Sequence, residues 1–440
     1  MKKGIPLYAV LLLLLLVSAL VFSLTFFPMQ YRAEREREAH RAKLEAYMPL
    51  PDEYDAKTLL AALEYLGRYS AYRLPEEGEL TEAMIEAVLL AMGDPYATFY
   101  TPKEYEERLL SNEGGYYGLG LITAETSDGY AEILFIHPDS PMDGEAEVGD
   151  LILAVNGESL LSIGYGEAIE RLSGSKETVG RSVSMTLRRG GETFSVEAAY
   201  AAVTRQSVIS KTFAEDGKTF GYLLLTGFDK STVSQLKAAV LEHEAAGVDG
   251  MIFDVRGNRG GLLNSAAEIL AFLLPDGEIA SVDYASAVLS DYTISSEDGY
   301  LRIGSSAPTV YYDGGHALSV PTVVLINGAS ASAAELFAKA ISDYAERGEL
   351  TASLVGTTSY GKGSVQTTDP SPFNGAAIKI TVASYLPPSG ISYDGIGIVP
   401  DRVAELPSEL SAKSILALSR EEDTQLAAAI DELFCLIMNG

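Results

Sequence analysis

The sequence has 440 residues, enough for two or three domains, and 47% of them are hydrophobic, which is ample for sizeable cores. Its formal net charge of −29 argues against a nucleic-acid-binding protein, because such proteins need a basic face. A single cysteine, Cys435, excludes internal disulfides, and the 4 scattered histidines lack the spacing of a metal site. We therefore expect no nucleic-acid partner, no metal and no other cofactor.

The first predicted element is a hydrophobic segment near the N-terminus. Lys2 and Lys3 precede an uncharged apolar run, and residues 5–27 are long enough to cross a bilayer, which takes about 20 residues. A cleaved signal peptide is the alternative, with residues 17–19 as a weak small-residue cleavage site. The sequence favours an uncleaved single-pass anchor in the cell membrane, with the lysines in the cytoplasm and the rest of the chain outside. If the segment is cleaved, the protein is secreted.

Residues 50–112 are acidic and predict helices, with leucines recurring on one face at helical spacing. Residues 115–200 instead predict short strands separated by glycine turns. Their order is a glycine-containing loop, a strand at 131–136, a strand and turn at 149–157 and a short helix at 166–172.

This order resembles a PDZ domain. The resemblance implies that the C-terminus of a substrate adds to the sheet as a strand, while backbone N–H groups of the loop hold its carboxylate. The residues that the resemblance assigns to substrate binding are three in the loop and two in the helix, namely Leu119, Gly120, Leu121, Ile169 and Leu172. The alternative is a small β module that binds no ligand.

From residue 204 onwards the pattern becomes strand, helix, strand. Apolar strands at 220–225 and 249–255 flank a helix at 232–245, which predicts a βαβ unit with parallel strands. The second strand runs into the glycine-rich segment Asp254-Val-Arg-Gly-Asn-Arg-Gly-Gly261 and then a helix. On its own, this segment predicts only a turn.

Residues 321–327 form an apolar, β-branched run that predicts a strand buried on both faces. A stretch of small residues, 328–332, separates this strand from a predicted helix. Ser332 therefore lies at a helix N-terminus, beside unpaired backbone N–H groups and the positive end of the helix dipole. That position suits an attacking serine, because the N–H groups can stabilise an oxyanion. The alternative is that Ser332 only caps the helix.

Lys362 is the candidate partner of Ser332, since no histidine accompanies this serine. A Ser–Lys dyad is an established form of nucleophilic catalysis, and it requires burial to lower the pKa of the lysine until the amine is neutral. Gly361 and Gly363 flank Lys362 and allow close packing of the backbone. The alternative is a solvated lysine in a glycine turn.

The same segment contains a partial match to a phosphate-binding loop. Residues 356–362 fit its first seven positions, but the eighth is Gly363 where serine or threonine should hold Mg²⁺. A strand, rather than a helix, is predicted to follow. We therefore reject a nucleotide site here.

Two motifs together resemble the carboxy-terminal processing proteases, also called tail-specific proteases. They are Asn327-Gly-Ala-Ser-Ala-Ser-Ala-Ala-Glu335 and Ser359-Tyr-Gly-Lys-Gly-Ser-Val-Gln366. The resemblance implies a nucleophile, a general base and a residue that orients the base, which are Ser332, Lys362 and Gln366 respectively. It also implies an oxyanion hole made by backbone N–H groups of Gly260, with its neighbour Gly261, and of Ala333. The separation of Ser332 and Lys362 is a few residues longer than is usual in the family.

The resemblance implies an α/β fold with a crotonase- or Clp-protease-like core, a PDZ domain inserted into it or preceding it, an N-terminal transmembrane helix and helical terminal segments. The predicted divisions are 1–28 (cytoplasmic tip and anchor), 29–113 (helical segment), 114–203 (PDZ domain), 204–405 (protease core) and 406–440 (helical tail).

These features predict a membrane-anchored, extracytoplasmic serine endopeptidase that cleaves proteins or peptides near their C-termini. Its expected partners are a substrate with a free C-terminus and the membrane, and the resemblance also implies a homodimer. Two alternatives stay open. One is a proteolytically inactive PDZ scaffold on the same fold, and the other is an acyl-transfer or hydratase-type enzyme that uses the glycine oxyanion hole.

Overall fold

The structure is a computed structural model that describes residues 56–70, 75–285, 290–297, 300–304, 310–311, 316–370 and 374–439. The chain separates into two compact units, Met1–Met84 and Ile85–Gly440. The predicted membrane segment at residues 5–27 lies outside the described residues. Among the helices that the structure describes, none is both long and apolar enough to cross a membrane.

The α-helices, in chain order, are α1 Ala56–Tyr69, α2 Glu77–Met92, α3 Pro102–Asn112, α4 Leu160–Ile163, α5 Tyr165–Leu172, α6 Lys230–Ala245, α7 Leu263–Leu273, α8 Ala333–Glu346 and α9 Thr424–Asn439, with a 3₁₀ turn at Ile415–Ala417. The strands are β1 Thr98–Tyr100, β2 Gly115–Gly118, β3 Leu121–Glu125, β4 Ala131–Ile136, β5 Leu151–Val155, β6 Glu158–Ser159, β7 Ser182–Arg189, β8 Glu192–Ala199, β9 Ala201–Thr204, β10 Val208–Glu215, β11 Lys218–Leu225, β12 Gly250–Asp254, β13 Gly277–Tyr284, β14 Tyr292–Glu297, β15 Tyr300–Ile303, β16 Val310–Tyr311, β17 Thr322–Ile326, β18 Ala352–Gly356, β19 Ser364–Asp369, β20 Ala377–Leu386 and β21 Arg402–Val403.

The central sheet has the order β10-β11-β12-β17-β18-β21. Within this sheet the strands β11, β12, β17, β18 and β21 run parallel. Strand β10 joins the edge as an antiparallel hairpin partner of β11. Every residue of β12 and β17 is buried, which explains why both strands appear in the sequence as continuous apolar runs. The predicted βαβ unit and the buried strand before Ser332 are confirmed.

Helices cover both faces of the central sheet. Because successive side chains of a strand alternate between the two faces, the buried strands present apolar side chains to helices on both sides. Leu223, Phe253 and Val324 belong to one hydrophobic cluster with side chains of α6, α7 and α8. Phe220 and Ile252 belong to another cluster, with α9. Burying each such side chain contributes on the order of 1.5–3 kcal/mol.

A second sheet is antiparallel, and the sequence did not predict it as a unit. Its order is β1-β20-β13-β14-β15-β16, and β19 pairs with β20. The strand predicted directly after Lys362 is confirmed as β19. The short strand β1 is a correction, because residues 50–112 were predicted to be helical.

Residues 115–204 form a β-rich module. Strands β3-β4-β5-β7-β8 make an antiparallel sheet, with β6 beside β5, and β2 pairs with β9. Together with α4 and α5 the sheet encloses its own hydrophobic cluster, which includes Ile133, Ile152 and Leu187. The predicted strands and helix of this region are confirmed, whereas its assignment as a PDZ domain stays a prediction.

The C-terminal tail is less helical than predicted for residues 406–440. A continuous helix begins only at Thr424, because the Asp423 side chain accepts the N–H of Leu426 at 2.9 Å and caps α9 there. Before it, residues from Pro407 to Asp423 form turns and the short 3₁₀ segment. Proline and the serines of this stretch favour turns over a regular helix.

Candidate active site

Three loops meet at the carboxyl edge of the central sheet, because β12, β17 and β18 are parallel and end at the same side. We call them the glycine loop (residues 255–262), the serine loop (327–332) and the lysine loop (357–363). They border a cleft of about 660 Å³.

The cleft brings together the residues that the two sequence motifs and the glycine segment singled out. Its lining includes Ser332, Lys362, Gln366, Gly260, Gly261 and Ala333. The long separation of Ser332 and Lys362 in the sequence therefore does not remove the lysine from the cleft.

Ser332 has an unusual backbone conformation, with φ 58° and ψ −121°. A positive φ in a residue other than glycine costs about 1–3 kcal/mol and persists only where the surroundings enforce it. Neighbouring hydrogen bonds enforce it in this loop. The Ala331 N–H donates to the carbonyl of Asn258 at 2.9 Å, and the Ser330 hydroxyl donates to the carbonyl of Val255 at 2.8 Å. The half-buried Ser332 is thus held at the N-terminus of α8.

Glu335 in the first turn of α8 joins the serine loop to the lysine loop. Its fully buried carboxylate accepts four hydrogen bonds, from Ser332 N–H (2.9 Å), Ser359 Oγ (2.6 Å), Gly361 N–H (2.6 Å) and Lys362 N–H (2.8 Å). This carboxylate fixes the backbones of Ser332 and Lys362 relative to each other.

The Lys362 amine is half-buried, and its Nζ lies 4.1 Å from the centroid of the Tyr96 ring. Burial lowers the pKa of this amine, and the positive charges of Lys379 and Arg108 lower it further, against the opposing effect of Asp94 and other carboxylates. Within the described structure, no hydrogen bond joins Lys362 Nζ to Ser332 Oγ. Ser332 and Lys362 therefore line the same cleft without a hydrogen bond between their side chains.

The predicted oxyanion donors differ in availability. The Ala333 N–H, at the first position of α8, and the Gly261 N–H have no hydrogen-bond partner among the described residues. The Gly260 N–H donates to the Asn258 side chain at 2.8 Å. Gly260 has φ +93°, and a Cβ there would lie 2.8 Å from Ser332 Cβ and 2.9 Å from the Ala333 nitrogen, so only glycine allows this close approach.

Gln366 lines the cleft on β19 without touching Lys362. Its Nε2 donates to Ser364 Oγ at 3.0 Å and to Thr381 Oγ1 at 3.2 Å. The Asp94 carboxylate accepts from the Thr381 backbone at 2.7 Å, which attaches the segment bearing Tyr96 to β20. The Gln366 Oε1 atom has no hydrogen bond with any residue in the described ranges.

The five residues predicted to bind a C-terminus also lie together, in the β-rich module. Leu119, Gly120, Leu121, Ile169 and Leu172 line one pocket of about 90 Å³ between β3 and α5. A Cβ at Gly120 would lie 2.6 Å from Ser140 Cβ, and the residue has φ +73°, so the loop requires glycine at this position.

Comparison with known proteins agrees with this geometry. The model of peptidase family S41 matches residues 219–404, which contain all three loops and the central sheet except β10 and the first residue of β11. A carboxyl-terminal-processing protease of Picosynechococcus is 29% identical over 96% of this chain and 94% of its own length. A carboxy-terminal-processing protease of Bartonella bacilliformis is 30% identical over 76% of this chain and 71% of its own length.

The chain belongs to the carboxyl-terminal-processing proteases of peptidase family S41. Its enzyme class is therefore that of the serine-type peptidases. An S41 protease from Bacteroides fragilis has a similar structure, with 18% identity, a TM-score of 0.55 and coverage of 88% of this chain and 99% of that one. At this level of identity, the likeness concerns the fold alone.

Several residues around the S41 site were not found from the sequence. Glu335 appears in the sequence only as the last residue of the serine motif, and Tyr96 was assigned no role. Tyr385 was also missed, although its hydroxyl donates to the Lys362 carbonyl at 2.9 Å while its ring borders the cleft beside Ser332. A signal existed for Tyr96, because Asp94-Pro-Tyr96 resembles a segment of the family, but no spacing rule links it to Lys362.

Proposed function

We propose that this S41 peptidase is a membrane-anchored, extracytoplasmic endopeptidase that cleaves substrates near their C-termini with a Ser332–Lys362 dyad. In this proposal, residues 1–28 form the cytoplasmic tip and anchor, 29–113 a helical segment, 114–203 a PDZ domain, 204–405 the crotonase- or Clp-like protease core and 406–440 the tail. A homodimer is part of the proposal.

The observation that carries the proposal is the strained Ser332 at the N-terminus of α8, in one cleft with a half-buried lysine whose pKa is lowered. A lysine with a lowered pKa is neutral at a lower pH than an exposed lysine, so its amine can accept a proton. The strain at Ser332 is typical of functional sites, where the surrounding structure offsets its cost.

The reaction follows from these groups. Neutral Lys362 accepts the Ser332 hydroxyl proton while Oγ attacks the substrate carbonyl carbon. The Ala333 N–H and a glycine-loop N–H hold the oxyanion. The Gly261 N–H has no partner among the described residues, whereas the Gly260 N–H would first have to release the Asn258 side chain. The lysine then protonates the leaving amine, and water releases the acyl group from Ser332 with the same lysine as base.

One movement is required before this reaction. Lys362 Nζ lies against the Tyr96 ring, so the lysine side chain must rotate towards Ser332 Oγ. The four-carbon side chain permits this rotation while Glu335 keeps the backbone fixed. The unpaired Gln366 Oε1 is available to accept a hydrogen bond from the rotated amine, which would orient it.

The β-rich module supports the recognition part of the proposal. Its pocket has the loop and helix that a PDZ domain uses, so the free C-terminus of a substrate would pair with β3 and place its carboxylate at Leu119–Leu121. Ile169 and Leu172 would contact the last side chain.

A proteolytically inactive scaffold is the second candidate, because Lys362 Nζ lies over the Tyr96 ring and, among the described residues, has no hydrogen bond with Ser332. A fluorophosphonate probe separates the two functions, since it labels an activated serine. We expect wild-type protein and the control Ser234→Ala, which alters an exposed serine on α6, to be labelled, and Ser332→Ala and Lys362→Ala to stay unlabelled. Absence of labelling in properly folded wild-type protein would favour the scaffold.

A further inference from the structure

The charge of the cleft is opposite to that of the chain. The sequence contains 61 acidic residues against 32 lysines and arginines, so acidic side chains should predominate on an average surface. The cleft lining instead includes Arg108, Arg205, Arg259, Lys362 and Lys379, and Asp229 is the single acidic residue among the described residues that line it.

Most of this positive charge is not neutralised by the protein. Arg205 is the exception, because its Nη1 lies 3.7 Å from Asp229 Oδ2. Arg108 and Arg259 are exposed, and neither makes an ion pair within the described part of the chain. Lys379 also lacks an ion pair there, and its Nζ lies 5.7 Å from the Tyr100 ring centroid.

These cations come from separate parts of the fold. Arg108 lies on α3, Arg259 in the glycine loop and Lys379 on β20. Arg108 and Lys379 are close enough to Lys362 for their charges to act on its amine. Unpaired cations held by different elements around one cleft would repel one another less if an anion bound between them.

We propose that the cleft selects peptide substrates that carry aspartate or glutamate side chains near the scissile bond, with Arg108, Arg259 and Lys379 as the residues that determine this preference. The proposal rests on the proposed function, because it assigns a substrate class to the same site. A free C-terminal carboxylate has the same chemistry as an acidic side chain, so the two sources must be tested separately.

The expected size of the effect follows from the burial of these cations, since Arg108 and Arg259 are exposed and Lys379 is half-buried. An exposed ion pair stabilises a complex by about 0.2–1 kcal/mol, which corresponds to about 1.5- to 5-fold in affinity or in kcat/KM for each cation. Three cations acting independently together give a preference of about 3- to 100-fold. Between 0.1 M and 1 M salt the screening length falls from about 10 Å to about 3 Å, so the preference should decrease at high salt.

The test uses full-length protein and a pair of C-terminally amidated peptides, one with aspartates flanking the scissile bond and one with asparagines at the same positions. A third peptide keeps the asparagines and has a free C-terminus. Binding of all three to Ser332→Ala is measured by fluorescence anisotropy, and the ratio of kcat/KM for the acidic and neutral peptides is measured with active enzyme. We compare Arg108→Gln, Arg259→Gln and Lys379→Gln with the control Lys211→Gln, which removes an exposed cation on β10 outside the cleft.

We expect the acidic amidated peptide to bind more tightly, and to be cleaved more efficiently, than the neutral amidated peptide. The ratio of kcat/KM for the acidic and neutral peptides should fall about 1.5- to 5-fold in each cleft variant and stay unchanged in Lys211→Gln. Lys379→Glu should reduce the ratio further.

The proposal would be overturned if the aspartate and asparagine peptides were bound and cleaved equally well. It would also be overturned if the kcat/KM ratio fell as much in Lys211→Gln as in the cleft variants. If only the free-acid peptide bound more tightly than the neutral amidated peptide, the cations would recognise the terminal carboxylate and not acidic side chains, and the proposal would again be overturned. Binding to Ser332→Ala is independent of cleavage, so tight acidic-peptide binding without turnover would contradict the proposed function and not this inference.

Discussion

One buried carboxylate connects the two loops that carry Ser332 and Lys362. Glu335 is fully buried, and each of its oxygens accepts two hydrogen bonds from these loops. An ionised carboxylate only accepts hydrogen bonds, so it satisfies all four donors, whereas an amide would present donors of its own to two of them. The geometry of the cleft therefore depends on the charge at this position and not only on side-chain shape.

We predict that Glu335→Gln lowers the free energy of unfolding by about 1–3 kcal/mol, the cost of leaving buried donors unpaired, and lowers kcat/KM sharply. The matched control is Glu346→Gln, at the exposed end of the same helix. Urea denaturation and peptide cleavage measure the two effects. If Glu335→Gln retained both wild-type stability and activity, the carboxylate would not be what holds the loops.

A second prediction concerns the pH dependence of catalysis. Because Lys362 acts as a base only when neutral, kcat/KM should rise with pH through the pKa of this amine and then level off. Since burial and neighbouring cations lower that pKa, the rise should occur below the ordinary lysine value of about 10.4. A profile that is flat between about pH 6 and 9 would indicate that another group takes the proton.

Arg108→Gln and Lys379→Gln extend this prediction. Each removes a positive charge that disfavours protonated Lys362, so the pKa of Lys362 should increase and the rise in kcat/KM should shift to higher pH. The opposing carboxylates Asp94 and Glu335 stay in place. Lys211→Gln should leave the profile unchanged. A shift to lower pH in the cleft variants would contradict the assignment of Lys362 as the base.

At the level of whole elements, α9 completes the core of the central sheet. Leu433 is fully buried against the sheet face that carries Ile252 and Val323. Before the helix, Asp423 lies 2.8 Å from the buried guanidinium of Arg256 in the glycine loop, which also pairs with Asp254. The C-terminal helix is thus connected to the loop that borders the cleft.

We predict that Leu433→Ala lowers the free energy of unfolding by about 2–5 kcal/mol, because it removes buried methyl groups and leaves a cavity. Met438→Ala in the same helix is the control, since 76% of that side chain's surface is exposed, and it should change stability by less than about 0.5 kcal/mol. Equal effects of the two substitutions in thermal or urea unfolding would show that α9 does not pack as described.

The elements that the sequence predicted well are those whose burial is uniform along the chain. Strands β12 and β17 are buried on both faces, so their apolar runs are visible without knowledge of their partners. Strand β1 has three half-buried residues and pairs with β20, near the other end of the chain, so no local pattern marks it.

Within the site, the motifs located Ser332 and Lys362, but the contact between Lys362 and Tyr96 depends on tertiary packing and a side-chain rotamer.

At the scale of the whole molecule, His137 lies where the β-rich module meets the chain leading into the central sheet. It is 3% exposed, and its Nδ1 accepts the Gln206 N–H at 2.9 Å. Burial lowers the pKa of His137 to about 4, and the positive charge of Arg205 contributes to the shift. Protonation of Nδ1 would remove the acceptor and place a second cation beside Arg205.

We predict that this histidine makes the protein less stable as the pH falls. In the unfolded chain a histidine binds its proton near pH 6.5. The contribution of His137 to the free energy of unfolding is therefore complete above that pH and is lost between about pH 6.5 and 4. His137→Asn keeps an acceptor without titrating in this range, so its free energy of unfolding should depend less on pH there. Parallel curves for wild type and His137→Asn, from urea denaturation across this range, would contradict the prediction.

The arrangement of module and core also predicts how substrate tails are read. Amidation of the C-terminus removes its charge and one acceptor oxygen, so docking in the module pocket should weaken by about 1–3 kcal/mol. Gly120→Val should have a similar effect, because a side chain there collides with Ser140. Both changes should reduce cleavage of long substrates more than cleavage of short peptides. Equal cleavage of free-acid and amidated long substrates would exclude tail recognition.

The central claim is that Ser332 and Lys362 act as one catalytic unit, and a double-mutant comparison of kcat/KM on a single peptide tests it most directly. We predict that Ser332→Ala and Lys362→Ala each abolish measurable cleavage and that the double variant is no worse than either single variant, because residues that act together are not additive. Near-normal turnover by folded Lys362→Ala would contradict the account.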